Sequence, residues 1–243
     1  MSVDARNILI TGVSRGIGFN LARSFLAQGW TVFGLSRSAP PLEHERFRWR
    51  SCDLSSVKTA EEAIADWGAA FDAVIHNAAQ LGPMGRALDI PIRGWRETFD
   101  VNFFAALEIT RLVLPFCRNK AGFIFFSGGG AVTAKPSVGP YALSKLALVK
   151  LAEQLALEYP EFRFYAIAPG AVDTAIFKEH YKRSGGSIPR FTDFDEIDRL
   201  IGVFISDRQG RLNGRLVHVR DDIEKLLALA EGGLVRRVEA HGK

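Results

Sequence analysis

A short apolar segment that runs directly into a glycine-rich loop constrains the fold of this chain more than any other feature. Residues 7–11 read NILIT, and residues 11–18 read TGVSRGIG. Apolar side chains then recur at every fourth position, which predicts a helix over 17–28. A strand, a glycine loop and a helix in this order can cradle a phosphate, because glycine lets the backbone approach closely and the helix N-terminus offers free N–H groups. The same glycines would also suit a turn that only packs the helix on the strand.

The rest of the chain alternates short apolar runs with amphipathic stretches. The runs predict strands at 31–35, 47–52, 73–76, 123–127, 163–168 and 216–219, and the stretches predict helices at 57–67, 96–118, 141–158 and 193–206. This alternation is typical of a parallel sheet that is covered by helices on both faces. We therefore predict an α/β fold, a Rossmann-type doubly wound sheet of seven parallel strands.

The domain organisation is predicted to be simple. No linker rich in Pro, Gly or Ser divides the 243 residues, and a hydrophobic share of 47% is enough for one substantial core. We predict a single domain over residues 1–243. Residues 175–192 are the least regular stretch and are interpreted as a flap, and residues 223–229 as a further short helix.

Charge and cysteine content argue against several other classes of protein. Lys and Arg number 31 against 27 Asp and Glu, and the basic residues are spread along the chain, so we expect no nucleic-acid partner. Cys52 and Cys117 are too few for a disulfide framework and favour a cytoplasmic, reducing location. We expect no signal peptide, membrane span or metal site, because no apolar segment has the required length and the histidines form no ligand motif.

The glycine spacing, TGxxxGxG, resembles the cofactor loop of the short-chain dehydrogenase/reductase family in its standard form. The resemblance extends over residues 7–220, which is nearly the whole chain. It implies an oxidoreductase that binds a nicotinamide dinucleotide, with the phosphates on this loop. The loop residues implied to contact the cofactor are Gly12, Ser14, Arg15, Gly16, Ile17 and Gly18.

The end of the second predicted strand indicates which nicotinamide cofactor is bound. In NAD-binding folds of this kind a carboxylate there holds the ribose 2′-hydroxyl, whereas an arginine accommodates the 2′-phosphate of NADP. The chain has Ser36 and Arg37 at this place and no carboxylate, and Arg15 can add a second cation. We predict NADP(H) over NAD(H). The other interpretation is that both arginines are ordinary solvated surface residues.

The resemblance implies three further groups of cofactor contacts. They are the adenine-contacting pair Asp53 and Leu54, the ribose loop Asn77, Ala78 and Ala79, and the nicotinamide segment Pro169, Gly170, Val172 and Thr174. The ribose loop departs from the common Asn-Asn-Ala-Gly pattern, because it begins with His76 and ends with Ala79. We still expect this loop to lie beside the adenosine ribose.

Tyr141 and Lys145 are the candidate catalytic pair. A spacing of four residues places them side by side on one face of a helix. Reduction of a carbonyl by hydride leaves an alkoxide that must be protonated, and a nearby ammonium is expected to lower the pKa of a tyrosine. Tyr141 would then act as general acid in reduction and as general base in oxidation. The resemblance implies that Lys145 also binds the nicotinamide ribose and that Asn102 anchors a water in the proton relay.

The serine of the family pattern, which polarises the substrate carbonyl, is displaced in this chain. It usually stands thirteen residues before the tyrosine, where this chain has Gly128. Ser127 is one residue early and precedes three glycines that allow the backbone to adjust, so we predict that Ser127 is the catalytic serine. The other interpretation is that Ser127 only closes a strand, with Thr133 and Ser137 as weaker substitutes.

Taken together, the motifs predict an NADP(H)-dependent carbonyl reductase or alcohol dehydrogenase that acts on a small molecule. A non-catalytic dinucleotide-binding sensor on the same fold is the alternative. A sugar-nucleotide epimerase or dehydratase of the extended relatives is disfavoured by the glycine spacing and the short chain. The flap at 175–192 is interpreted as a substrate lid, and its mixture of apolar and basic residues suggests an apolar or anionic substrate.

An assembly of several copies is implied by the resemblance alone. The helices predicted at 96–118 and 141–158 form a four-helix dimer interface in such enzymes, and apolar positions such as Leu107, Leu146 and Val149 are compatible with that. We expect a homodimer or homotetramer. These positions could equally pack on the sheet of their own chain.

Overall fold

The computed structural model describes residues 6–184 and 190–230 and arranges them around one seven-stranded sheet. The strands are β1 (Asn7–Thr11), β2 (Thr31–Ser36), β3 (Phe47–Ser51), β4 (Phe71–His76), β5 (Cys117–Phe126), β6 (Arg163–Ala168) and β7 (Leu216–His218). Neighbouring strands are parallel throughout, in the order β3-β2-β1-β4-β5-β6-β7. The predicted doubly wound sheet of seven parallel strands is confirmed.

Helices cover both faces of this sheet. They are α1 (Gly16–Ala27), α2 (Val57–Ile64), α3 (Ile92–Phe99), α4 (Ala105–Val113), α5 (Gly139–Glu158), α6 (Ala175–Ser184), α7 (Phe194–Ser206) and α8 (Ile223–Ala230). Helices α1 and α7 bury side chains against one face, and α2, α4 and α5 against the other. The short helix predicted at 223–229 is confirmed as α8.

Strand β1 shows why the central strands are apolar along their whole length. Ile8 and Ile10 belong to the core under α1 and α7, whereas Leu9 belongs to the core under α2, α4 and α5. Successive side chains of a strand point to opposite faces of its sheet. A strand that is buried on both faces therefore needs an uninterrupted apolar run, and all three of these side chains are inaccessible to solvent.

The strand order places the predicted site residues at one edge of the sheet. From β1 the chain passes outward to β2 and β3, and then returns to β4 on the other side of β1. The loops that follow β1 and β4 therefore diverge at the carboxyl ends of these strands and leave a crevice between them, which is the usual ligand site of such sheets. The predicted residues follow β1, β2, β3, β4, β5 and β6, and all lie at this edge.

The helix predicted over 96–118 is built from separate pieces. They are α3, a π-helical turn (Asp100–Phe104) and α4. A π-helical turn contains one residue more than an α-helical turn, and such turns are frequent at functional sites. The apolar periodicity of the sequence continues through this turn, so the sequence pattern gave no indication of it.

The C-terminal end of that predicted helix was wrong, because Cys117 and Arg118 belong to β5. Pro115 lies in the 3₁₀ turn between α4 and β5 and has no N–H for a continuing helix. Arg118 instead pairs with Asp72 of the neighbouring strand β4, with 3.0 Å between Nη1 and Oδ1. The first half of β5 is polar, which is why the apolar run revealed only its second half.

The stretch predicted to be an irregular flap is largely regular. Residues 175–184 form α6, while residues 185–189 lie outside the described residues. The backbone N–H of Phe177 is bonded to the hydroxyl of Thr174 at 3.3 Å, which satisfies a donor in the first turn. Two ion pairs, Lys178–Asp173 and Glu179–Arg183, account for much of the mixed charge that concealed this helix. Residues 1–5 and 231–243 of the predicted domain also lie outside the described residues.

Candidate active site

The glycine loop after β1 depends on the absence of side chains. Gly12 and Gly16 have φ angles of +77° and +60°, a region that favours glycine. A Cβ on Gly12 would lie 2.8 Å from Asn77 Nδ2, and a Cβ on Gly18 would overlap the Gly12 carbonyl oxygen. The loop therefore packs as closely as backbone allows, and the N-terminus of α1 opens into the crevice.

Asn77 and Ala78 tie the end of β4 to this loop. The Asn77 side-chain amide donates to the Thr11 carbonyl oxygen at 2.9 Å. The backbone N–H groups of Asn77 and Ala78 both donate to the Thr11 hydroxyl, each at 3.1 Å. The predicted phosphate loop and the predicted ribose loop thus form one hydrogen-bonded unit, and Ala79 follows directly.

Arg15 and Arg37 both present exposed side chains at the carboxyl edge. Asp53, which follows β3, lies close to Arg37. Hydrogen bonds from the backbone and hydroxyl of Ser55 lower the pKa of the Asp53 carboxyl, and the Arg37 charge lowers it further. Ser36 is turned inward, since its hydroxyl donates to the Ser38 carbonyl and accepts from Trp49 Nε1, both at 2.8 Å.

A small cavity between β4 and α4 adjoins the predicted adenosine site. Its lining includes the predicted cofactor residues Leu54 and Ala78, together with Val101 and His76. The His76 ring is buried, stacks on Phe125 with 4.8 Å between ring centroids, and has Nε2 2.9 Å from the hydroxyl of Thr110. Burial lowers the pKa of His76 to about 3. This residue is therefore a neutral packing group, which explains the departure from the family pattern at this position.

The segment after β6, which is predicted to contact the nicotinamide, lies against the glycine loop. A Cβ on Gly16 would lie 3.5 Å from Cγ2 of Thr174. Gly170 has a φ angle of +71°, and Pro169 and Val172 are buried. The loops after β1 and β6 thereby close the crevice from two sides.

The first two turns of α5 hold Tyr141 and Lys145 together. Lys145 Nζ lies 5.9 Å from the centroid of the Tyr141 ring and donates to the Phe126 carbonyl oxygen at 2.8 Å. Only 2% of Lys145 is exposed. Burial lowers the pKa of Lys145 to about 7 and raises the pKa of Tyr141 to about 12. Desolvation of the phenolate raises the tyrosine pKa, which is the opposite direction to the lowering expected from a nearby ammonium.

Asn102, in the π-helical turn, joins three segments around the pair. Its side-chain oxygen accepts from the backbone N–H of Gln80 at 2.8 Å, and its amide donates to the Gln80 carbonyl oxygen at 3.0 Å. The amide also lies 3.0 Å from the hydroxyl of Ser144, which is the residue before Lys145. Gln80 and Ser144 were missed by the sequence analysis. The position of Ser144 inside the Tyr-x-x-x-Lys motif was the one available indication.

The predicted role of Ser127 requires its side chain to face Tyr141, but the side chain is directed into α5 instead. Its hydroxyl is buried and donates to the carbonyl oxygen of Lys145 at 3.4 Å, within the backbone of α5. Gly128 is the residue that faces the tyrosine, because a Cβ there would lie 2.6 Å from Tyr141 Oη. The three glycines do not turn the Ser127 side chain toward the phenol, since the residue continues the hydrogen bonding of β5 to β6 through its own N–H. The geometry thus favours the interpretation that Ser127 closes the strand.

An apolar cluster includes the side chain of Tyr141. It joins Tyr141 with Leu81 and Met84 from the loop after β4, with Val138 and Ala142 at the start of α5, and with Ile176 of α6. Helix α6 therefore packs in the same cluster as Tyr141. This position agrees with the interpretation of the segment as a cover for a substrate.

The described part of the chain has neither a cluster of metal ligands nor a helix that could span a membrane. Within residues 6–184 and 190–230, no three side chains of His, Cys, Asp and Glu come together as metal ligands. Across the same residues, no helix has the length and apolar character needed to cross a membrane.

The chain is similar to known proteins along most of its length. Residues 6–185 match the family model described as short chain dehydrogenase. An uncharacterised oxidoreductase of Schizosaccharomyces pombe is 36% identical over 179 residues, covering 70% of this chain and 72% of that protein. The benzil reductase ((S)-benzoin forming) of Saccharomyces cerevisiae is 31% identical over 193 residues, covering 71% of this chain and 73% of that protein.

Solved structures share the same fold. A short chain dehydrogenase from Salmonella enterica has a TM-score of 0.76 and 24% identity, covering 89% of this chain and 96% of that one. A short chain dehydrogenase from Escherichia coli in complex with NADPH also has a TM-score of 0.76 and 24% identity, covering 89% and 97% of the two chains.

Proposed function

Because the chain belongs to the short-chain dehydrogenase family, we propose that it is an NADP(H)-dependent oxidoreductase that interconverts a carbonyl compound and a secondary alcohol. The observation that carries this proposal is the pair Tyr141 and Lys145 on α5, in which Lys145 is buried, Tyr141 is half-buried and Lys145 Nζ lies 5.9 Å from the Tyr141 ring centroid. A phenol that can give or take a proton and a crevice shaped for a dinucleotide are the two requirements of such a reaction. A non-catalytic sensor would need only the crevice for the dinucleotide.

The crevice fits a nicotinamide dinucleotide. A Cβ on Gly12 or Gly18 would clash with Asn77 or the Gly12 carbonyl, so these glycines keep the loop in the compact form that a pyrophosphate can approach. Thr174 lies against Gly16, where the nicotinamide end is expected. The bound nicotinamide would supply or accept the hydride. We assign its binding to the three glycines, the loop residues around them, and the segments predicted after β2, β3, β4 and β6.

We propose that Tyr141 is the proton donor in reduction. With a pKa raised to about 12, its phenol is protonated at neutral pH and can donate to the carbonyl oxygen as the alcohol forms. Lys145, anchored on the Phe126 carbonyl, is placed to hold the cofactor ribose. Asn102 holds the loop at Gln80 and helix α5 at Ser144 in fixed positions next to Tyr141 and Lys145. At neutral pH Tyr141 is therefore in the protonation state that reduction requires.

The preference for NADP(H) rests on Arg15 and Arg37. Both are exposed at the carboxyl edge, and a guanidinium binds a 2′-phosphate in a planar, two-bond geometry. Asp53, although it lies near Arg37, has its Oδ1 engaged by Ser55 at 2.9 and 3.0 Å. This carboxylate follows β3 and not β2, where NAD-binding folds hold the ribose 2′-hydroxyl, and one of its oxygens is engaged within its own loop.

Initial rates with NADPH and with NADH, measured against a panel of ketones, test this function. The panel includes benzil, since one relative is named for that activity. We expect NADPH to give the higher kcat/KM and Arg37→Ala to reduce that preference by roughly ten- to a hundredfold. Arg199→Ala is the matched control, because Arg199 is exposed on α7 away from the crevice. Tight NADPH binding without turnover of any carbonyl would identify a sensor instead.

We further propose a homodimer or homotetramer that works in the cytoplasm. Phe104, at the end of the π-helical turn, and Leu146, on α5, remain 49% and 41% exposed in the single chain. The two cysteines are unpaired, as in a reducing compartment. Light scattering tests the assembly, and a mass of only 26.8 kDa would refute it. Fractionation of the native cells tests the location.

A further inference from the structure

Lys135 folds back over the three glycines that follow β5. A Cβ on Gly129 would lie 3.5 Å from Lys135 Nζ, and a Cβ on Gly130 would lie 3.1 Å from Lys135 Cβ. Gly128, the first of the three, is the residue against Tyr141 Oη. Consecutive Cα atoms are about 3.8 Å apart, so the ammonium lies over the residue next to the one that faces the phenol.

Helix α6 brings a second ionisable group to the same place. Ile176 packs in the apolar cluster that contains Tyr141, and His180 stands four residues later on the same face of the helix. Burial lowers the pKa of His180, and the charge of Lys135 lowers it further. Lys135 thus lies on the glycine turn next to Gly128, and His180 lies one helical turn after Ile176. Burial also lowers the pKa of Lys135.

The acidic side chains of this region are engaged elsewhere. Asp173 pairs with Lys178 at 3.0 Å, and Glu179 pairs with Arg183 at 2.7 Å. Within the described ranges, no carboxylate lies within ion-pair distance of Lys135. Lys135 is exposed, so its ammonium is available to a ligand anion and can bind a carboxylate or a phosphate through charge-assisted hydrogen bonds.

We propose that Lys135 and His180 bind an anionic group of the substrate, which makes the substrate a carbonyl compound that carries a carboxylate or a phosphate. This inference rests on the proposed oxidoreductase function. The reacting carbonyl lies at Tyr141, and the anion lies one residue further along the glycine turn, under α6. The apolar cluster then contacts the carbon skeleton between the two groups.

The test compares substrates that differ only in charge. A γ-keto acid, its methyl ester and the corresponding keto phosphate are assayed with NADPH and wild-type enzyme. We expect a KM for at least one anion that is roughly ten- to a hundredfold below that of the ester, with similar kcat, because charge-assisted hydrogen bonds add that much binding. Which of the two anions has the lower KM identifies the headgroup.

Variants of Lys135 and His180 test whether the lower KM of an anionic substrate arises from these two residues. In Lys135→Gln we expect the KM advantage of the anion to disappear, while kcat and the ester KM stay within about threefold of wild type. His180→Gln should reduce the same advantage by a smaller factor. Lys150→Gln is the control, since Lys150 is an exposed lysine of α5 paired with Glu153. Equal KM values for acid, phosphate and ester in wild type, or an unchanged advantage in Lys135→Gln, would overturn the proposal.

The two proposals fail in distinguishable ways. Turnover of the ester but no advantage for an anion contradicts the anion site alone. If no carbonyl is reduced, the proposed function fails, and calorimetric titration of the keto acid and keto phosphate into the NADPH-loaded protein decides the anion site. Binding that weakens at least tenfold in Lys135→Gln supports the site, and equal or absent binding refutes it.

Discussion

Two glycine-rich loops lie at the carboxyl edge of the sheet, and their glycines are needed for different reasons. In the loop after β1, added side chains would meet the Gly12 carbonyl and the Asn77 amide that binds it, atoms that are held by the fold. At Gly128 and Gly129 of the loop after β5, they would meet Tyr141 Oη and Lys135 Nζ, the ends of long side chains. The first loop is a close-packed backbone cradle, whereas Gly128 and Gly129 make room for the ends of Tyr141 and Lys135.

This difference predicts how substitutions in the two loops will behave. Substitutions in the loop after β1 should change cofactor affinity and folding together. Substitutions in the loop after β5 should leave cofactor affinity and folding nearly intact and lower turnover.

The largest effect is expected from Gly18→Ala, because its Cβ would overlap a backbone oxygen that cannot move aside. We expect NADPH affinity and kcat/KM to fall by at least about a thousandfold, and stability to fall by roughly 1–3 kcal/mol through overpacking. Fluorescence titration with NADPH and urea unfolding measure the two. Gly202→Ala on α7 is the control, since a Cβ there meets nothing within 4 Å. A normal NADPH affinity in Gly18→Ala would show that this loop is not the cradle.

The pH dependence of alcohol oxidation should be the next largest effect after that of Gly18→Ala. Oxidation needs the Tyr141 phenolate, and a pKa of about 12 leaves that form scarce at neutral pH. We expect kcat for oxidation to rise roughly tenfold per pH unit between pH 7 and 9, while reduction, which needs the phenol, loses nothing to Tyr141 over that range. Steady-state rates at saturating cofactor measure both directions. A plateau of the oxidation rate near pH 7 would mean that an ammonium lowers the tyrosine pKa after all.

Gly128→Ala should lower turnover by about a hundredfold, because its Cβ would displace the Tyr141 hydroxyl and misplacement of a reacting group by about 1 Å costs that much. We expect NADPH affinity to stay within about threefold of wild type and stability to change by less than about 1 kcal/mol. Stopped-flow single turnovers and NADPH titration separate the two effects. A loss of NADPH binding in this variant would erase the distinction between the loops.

Ser127→Ala should have the smallest effect. Its hydroxyl is directed into α5, so we expect kcat within about fivefold of wild type and a loss of about 1 kcal/mol of stability for one hydrogen bond. Steady-state kinetics and thermal unfolding measure these. A fall in kcat of about a hundredfold or more is what loss of an oxyanion donor produces, and it would restore Ser127 as the catalytic serine.

The contrast between the loops after β1 and β5 also explains which parts of the fold and of the site could be predicted from the sequence. The cradle was predictable because its constraints are local: Gly12, Gly16 and Gly18 must be glycines at fixed spacing, and β1 must be apolar to be buried on two sides. The pairing of Tyr141 and Lys145 was predictable for the same reason, since four residues of helix place them together.

The substrate side depends on contacts between distant segments, which no local pattern records. The direction of the Ser127 side chain is decided by the pairing of β5 with β6, and the placement of helix α6 by the contact of Ile176 with the apolar cluster. The tyrosine pKa follows from how deeply the surrounding fold buries the phenol. Sequence spacing alone contains none of this information.

The π-helical turn at Asp100–Phe104 has a consequence for sequence evolution. Such a turn holds one extra residue without changing the phase of the helix on either side. Deleting one residue there would therefore leave a regular α-helical turn, with Ile109 and Val113 still in the core. The cost would fall on Asn102, whose side chain joins Gln80 to Ser144. A single-residue deletion at this place should be tolerated by the fold but not by the site.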